Sequence, residues 1–94
     1  MSVSYRGPQL VEEQKRAFGQ KLRELREARG LSLADVAHEA LVTKAAIQQY
    51  ESGASVPSLG ALFGIANALK VKPSVLVAVF DPPKKLSKKS DSPA

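Results

Sequence analysis

Side chains able to do covalent or metal chemistry are almost absent from this sequence: its 94 residues include no Cys and a single His, His38. Without thiolates there is no Cys-ligated zinc site, no iron-sulfur cluster, no disulfide framework and no thiol nucleophile. His38 sits in Asp35-Val36-Ala37-His38-Glu39 with no second ligand at useful spacing, and reads as a solvated helix position. No phosphate loop or nucleophile elbow appears either. The expectation is a protein that is not an enzyme and needs no metal and no cofactor. Binding chemistry remains. The chain carries 14 Lys and Arg against 9 Asp and Glu, a formal net charge of +5, which points to a polyanionic partner, nucleic acid first.

That charge is unevenly placed. Residues 1–30 hold 7 basic and 4 acidic groups, residues 31–80 hold 3 and 3, and residues 81–94 hold 4 and 2. An electrostatic grip on an anion therefore belongs mostly to the ends of the chain. Its length sets one domain as the ceiling. The longest apolar runs, such as Val75 to Phe80, are far short of the ~20 residues a membrane span needs, and MSVSYRGPQL lacks a signal-peptide core. A soluble, cytoplasmic protein with no membrane partner is expected.

The elements that must position any binding group follow from apolar spacing. Leu10, Val11, Gln14, Phe18, Leu22 and Leu25 recur at three and four residue intervals, which predicts a helix from Pro8 to about Arg29, stopped by Gly30. Ser32, with Asp35 three residues on, opens a short helix through Val36, Ala37 and Ala40. Thr43 caps another over 44–52, with Ile47 and Tyr50 inward and Gly53 as its stop. Pro57-Ser58 starts a fourth with Leu59, Leu62, Phe63, Ile65, Ala66 and Leu69 as its apolar set. Pro73 leads into a fifth from Ser74 to about Phe80, ended by Asp81-Pro82-Pro83. No alternating run bounded by hairpin turns appears, and the one competing β reading, Val71 to Phe80, has no strand partner. The fold class is all-α, five helices over 8–80, with a flexible arm at 1–7. DPPKKLSKKSDSPA, residues 81–94, has too little apolar surface to offset the entropy of ordering and reads as a disordered Lys-rich tail.

Two short helices joined by only Leu41-Val42-Thr43 must turn sharply, the geometry of a helix-turn-helix whose second helix enters the DNA major groove. Residues 19–77 resemble the Cro/repressor-type, or XRE, helix-turn-helix family of phage repressors, restriction-modification controllers and small bacterial regulators. The matching residues are Phe18-Gly19, Leu22, Leu25-Arg26, Gly30-Leu31-Ser32, Val36-Ala37, Ile47, Glu51, Gly53, Pro57-Ser58-Leu59, Leu62, Ile65-Ala66, Leu69, Val71 and Leu76. The resemblance implies a compact lambda-repressor-like domain that binds a double-stranded DNA operator.

Carried over position by position, the resemblance turns Thr43, Lys44, Ala45, Gln48 and Gln49 toward DNA. Lys44 can donate to guanine O6 and N7 and Gln49 can bind adenine bidentately, so these two are the expected base readers. Ala45 can touch only a thymine methyl, Gln48 suits a base or a phosphate, and Thr43 suits capping as well as a phosphate. A solvated helix face is the plainer account of the two glutamines. Arg26 and Glu51 resemble a pair that ties the first helix to the end of the recognition helix; two independent surface charges is the alternative. The chain departs from the family with Leu33 in place of a Gln, Leu41 in place of a Gly, and Ala54-Ser55-Val56 in place of basic or amide residues. Leu41 must then avoid positive φ or accept strain of about 1 kcal/mol. Backbone contacts would fall to helix N-terminal amides, Ser32, Ser52, Ser55, the arginines of the first helix and the ends. There the Lys84-Lys85 and Lys88-Lys89 pairs could supply the charge, solubility alone being an equal account of them, and Arg6 could reach a minor groove.

One recognition helix reads few base pairs, so a homodimer on a two-fold operator is expected, with half-sites about 34 Å apart. Val71 and Leu76 suffice for the fifth helix's core face, leaving Val75, Val77, Val79 and Phe80 as interface candidates. Gly60 and Gly64, four apart in the fourth helix, offer a second small face; tolerated defects is the other account of them. The functional expectation is a small dimeric transcriptional regulator of repressor, controller or antitoxin type, with a protein partner such as a toxin in the last case. The rival is a protein-interaction module on the same fold.

Overall fold

The computed structural model describes residues 11–80, and among them every regular element is helical: α1 Glu12–Ala28, α2 Leu33–Ala40, α3 Lys44–Ser52, α4 Leu59–Leu69 and α5 Pro73–Val77, then a 3-10 turn over Ala78–Phe80. The expected arm, the Pro8 helix start and the Lys-rich tail lie outside the described residues. Inside them, two boundaries move. Val11 is extended (φ −86°, ψ 167°) and exposed, so α1 begins at Glu12 and not through Val11. Its amide donates to Gln14 Oε1 at 3.0 Å, while Glu12 and Glu13 complement the positive end of the helix dipole. The fifth helix is regular only over Pro73–Val77 before tightening into the 3-10 turn.

Ser32, Thr43 and Ser58 start α2, α3 and α4 in one manner: each side-chain oxygen accepts from the amide three residues on, at 3.0 to 3.1 Å. Such a cap is worth ~1 kcal/mol. The four longer helices also stop alike. Gly30, Leu41, Gly53 and Lys70 all adopt positive φ (66°, 60°, 85° and 59°). The next amide then reaches back to a carbonyl five residues earlier, as Leu31 to Arg26, Val42 to Ala37, Ala54 to Gln49 and Val71 to Ala66. This is the Schellman closure, in which a left-handed residue and two backward hydrogen bonds satisfy the last carbonyls. Leu41 thus takes the left-handed conformation that the family usually gives to glycine. Val42, immediately after it, packs on the core, and that burial with the two hydrogen bonds outweighs the cost.

The core is a single cluster to which every α-helix contributes: Phe18 and Leu22 from α1, Val36, Ala37 and Ala40 from α2, Ile47 from α3, Leu62, Ile65, Ala66 and Leu69 from α4, and Leu76 from α5. Gly64 is spent inside this fold. A Cβ there would stand 2.9 Å from Ala40 Cα, so α4 lies against the backbone of α2, and Gly64 does not belong to an outward face. Gly60 has nothing within 4 Å of such a Cβ. Phe80 stacks on Phe18 with ring centroids 5.9 Å apart, and Val77 and Val79 also pack against the core. These three expected interface residues therefore pack α5 and the 3-10 turn against the core, leaving Val75 as the half-buried residue of the set outside the core contacts. Leu59 and Phe63, expected inward, are instead 66% and 53% exposed on α4. The bulk of α2 and α5 fills the other sides of that helix.

Candidate nucleic-acid interface

The placement of α3 is fixed at three points. Ile47 is fully buried beneath it. Gly19 of α1 lies against the carbonyls of Tyr50 and Glu51, and a Cβ at Gly19 would stand 2.5 Å from Glu51 O, so only glycine lets the helices come this close. Arg26 completes the attachment. Its Nε and Nη2 donate to the two carboxylate oxygens of Glu51 at 2.6 and 3.1 Å, and its Nη1 donates to Leu31 O at 2.9 Å. The two side chains are only 13% and 10% exposed. Hydrogen bonding to Glu51 holds the guanidinium above its ordinary pKa, more than offsetting partial burial, with the charge of Glu51 and then Glu27 adding to it. Two independent solvated charges do not describe this arrangement; a forked, largely buried clamp does.

Beside the clamp, Lys44, Ala45, Gln48, Gln49 and Ser52 are all exposed, and at 3.6 residues per turn they form one continuous face of α3. Thr43 stands at its head, its Oγ1 accepting from Ala46 N at 3.0 Å, which leaves its hydroxyl proton to donate outward. Three serines are less available. Ser52 Oγ donates to Gln49 O and accepts from Ala54 N, and Ser55 is half-buried with its amide on Gln49 O. Ser32 Oγ accepts from Asp35 N, and hydrogen bonding to the Asp35 carboxyl, from the Ser32 amide on Oδ2 first and from the Ser32 side chain second, holds it below its usual range. A carboxylate thus already occupies the start of α2 that a phosphate would seek.

Between α1, the start of α2 and α3 runs a cleft of about 330 Å³ lined by Arg23, Arg26, Leu33, Gln48, Glu51 and Ser52. Sequence reasoning counted Arg23 only among the arginines of the first helix. The signal for singling it out was its position three residues before Arg26, which puts both on one side of α1. A larger depression around His38 mixes Arg29 and Lys70 with Asp35 and Glu39 and offers no single sign of charge.

The HTH_3 helix-turn-helix family model matches residues 22–76, more than half of the chain. The chain belongs to the HTH_3 family. HTH_3 proteins of this Cro/repressor, XRE type are DNA-binding transcriptional regulators, and α2 and α3 are the helix-turn-helix. The chain is 34% identical to the restriction-modification controller protein C.AhdI from Aeromonas hydrophila, with a TM-score of 0.66, covering 68% of this chain and 97% of that one. It is 36% identical to an HTH_3 family transcriptional regulator from Vibrio cholerae, with a TM-score of 0.64, over 70% of this chain and 37% of that longer one. The clp gene regulator ClgR from C. glutamicum, at 21% identity and a TM-score of 0.65 over 76% of this chain and 90% of that one, shares the fold. No curated protein matches. Among the described residues, no single helix is long and apolar enough to cross a membrane.

Proposed function

We propose that this HTH_3 protein binds a two-fold operator in double-stranded DNA sequence-specifically, as a homodimer acting in the cytoplasm, and regulates transcription in the manner of a small controller. The observation that carries the reading is the exposed face of α3, Thr43 through Gln49, held by the Gly19 and Arg26–Glu51 attachments. Rigid support matters because base readout needs donors placed to within a fraction of an ångström. Lys44 and Gln49 are assigned as base readers, Thr43 and Gln48 as flanking contacts. Controller is preferred to repressor or antitoxin because the similarity to the Aeromonas controller extends over nearly all of that protein.

A second copy is assigned to α4. Leu59 and Phe63 lie one turn apart in a helix without a charged residue, and Gly60 beside them leaves open space. An uncharged apolar face is complementary to itself, as a two-fold contact requires. Val75 is assigned to the rim of this contact, on α5, which packs against α4.

Gel shifts across a salt series with the protein's own upstream DNA test the reading. The expected result is a specific band that is lost with Lys44→Ala/Gln49→Ala while the circular dichroism stays native. No specific band even at low salt overturns it in favour of a protein-interaction module. Sedimentation tests the interface: Leu59→Lys/Phe63→Lys is expected to give a folded monomer, and an unchanged dimer would refute the α4 contact.

A further inference from the structure

The cleft beside α3 holds a cation that is engaged with a neighbour in the free protein. Arg23 Nε donates to Glu27 Oε2 at 3.1 Å, and the two side chains are 59% and 55% exposed. Such a pair is worth little in water, since solvent screens the attraction and two long side chains must be ordered. Its partner can be exchanged. The rest of the cleft has no competing use for the arginine. Arg26 and Glu51 satisfy each other at its floor, Leu33 has no polar side-chain atom, and Gln48 brings an amide from the exposed face of α3.

We propose that this cleft seats one phosphate of the DNA backbone, with Arg23 exchanging Glu27 for the phosphate and Gln48 donating beside it. The proposal rests on the DNA-binding reading, and singles out from the first-helix arginines the one that meets the backbone, its seat and the carboxylate that competes for it. Three observations carry it. The cleft adjoins the face assigned to the bases, so a helix seated in the major groove brings a strand past its mouth. Leu33 brings no polar side-chain atom to the cleft, and the Ser32 amide is taken by Asp35. Arg23 is then the lining cation whose carboxylate partner is exposed and weakly held, whereas that of Arg26 is nearly buried. Guanidinium suits the task because it meets two phosphate oxygens at once.

The consequence is that Glu27 restrains DNA binding by competing for Arg23. The experiment measures affinity by fluorescence anisotropy against salt, using a duplex that carries a site selected by the protein from random-sequence DNA. Arg23→Gln is expected to reduce the slope of log affinity against log salt by about 0.9 per protomer, with base preference unchanged. Glu27→Gln is expected to tighten binding, by up to about five-fold if it releases a surface pair of ordinary strength. That gain should vanish in Arg23→Gln/Glu27→Gln, which separates release of Arg23 from removal of a nearby negative charge. An unchanged slope in Arg23→Gln, or a gain that persists in the double variant, overturns the proposal while leaving the DNA-binding reading intact. Selection that enriches no site overturns both. Because Arg23 and Glu27 are mostly solvated, both variants should fold, and native circular dichroism checks this.

Discussion

The attachment of α3 by Arg26 and Glu51 makes a quantitative claim about stability. Each guanidinium hydrogen bond to the carboxylate is charge-assisted, and the pair is about nine-tenths buried. Removing one partner of a buried pair costs ~3–5 kcal/mol, because the other keeps its desolvation penalty without its attraction. Residual exposure, and the Arg26 bond to Leu31 O that survives in Glu51→Ala, lower the expectation to roughly 2–4 kcal/mol. Marginal stability of ~0.05–0.15 kcal/mol per residue gives a domain of this size about 4–10 kcal/mol in total. Glu51→Ala would therefore remove a large part of it, measured as a fall in the urea midpoint by circular dichroism. Arg26→Met/Glu51→Leu avoids burying any charge and should return close to wild-type stability. With each single variant ~2–4 kcal/mol below wild type and the double variant close to it, the cycle through Arg26→Met, Glu51→Leu and the double variant is expected to give a coupling of ~4–8 kcal/mol. A coupling below ~0.5 kcal/mol would mean that the two charges act independently, and the attachment of α3 would then rest on Ile47 and Gly19 alone.

Leu41→Gly should stabilise the protein, since a left-handed L-residue costs ~1–2 kcal/mol and glycine returns ~0.5–1 of that as chain entropy. The 90% exposed leucine loses no packing, so differential scanning calorimetry should show a rise of about 2–8 °C in Tm, and a fall would refute the strain. The two glycines of α4 should separate. Gly60→Ala gains ~0.5–1 kcal/mol of helix propensity in open space, whereas Gly64→Val is expected to cost ~1–3 kcal/mol by pushing α2 and α4 apart; equal effects in urea titrations would contradict the packing. Asp35 gives the pH dependence. Its folded pKa lies below the unfolded one, so its contribution is complete above about pH 4 and is lost as pH falls through the folded value. The stability difference between wild type and Asp35→Asn should shrink over that acid range, and a constant difference would show that the charge is not involved.

The helices of the fold were legible because their signals are local. Ser32, Thr43 and Ser58 cap as their spacing implies, and Gly30 and Gly53 stop helices as glycines do. Leu41 and Lys70 make the same stop, yet nothing in their type announces it; the residue after each, Val42 and Val71, is drawn into the core and forces the turn. Exposure on α4 was misread for a related reason. Leu59 and Phe63 fit a helical apolar stripe, but the stripe is wider than the surface its neighbours offer, and only the three-dimensional arrangement decides which edge is left out. Phe80 shows the reverse: an apolar residue past the last helix looks surplus until its stacking on Phe18, 62 positions earlier, is visible. At the site, the resemblance to the Cro/repressor-type family marked the α3 face and the Arg26–Glu51 pair. Arg23 needed the cleft.

Charge and recognition are thus joined through α1. The described residues carry nine Lys and Arg against seven Asp and Glu, a net of +2, so the remaining +3 of the whole chain lies outside them. Three of the five cations of α1 have carboxylate partners: Arg26 with Glu51, Arg23 with Glu27, Lys15 with Glu12 at 3.8 Å. A domain so nearly neutral cannot draw in DNA by its overall field and must rely on where individual cations can be redirected. Exposed pairs can be redirected at little cost, whereas the Arg26–Glu51 pair cannot. The same helix therefore supplies a fixed attachment that sets the angle of α3 and, one turn earlier, an exchangeable charge that can meet the backbone. Any shift of α1 relative to α3 would misplace both, which is why Gly19, though it offers no chemistry of its own, is as necessary to the proposed site as the residues assigned to the bases.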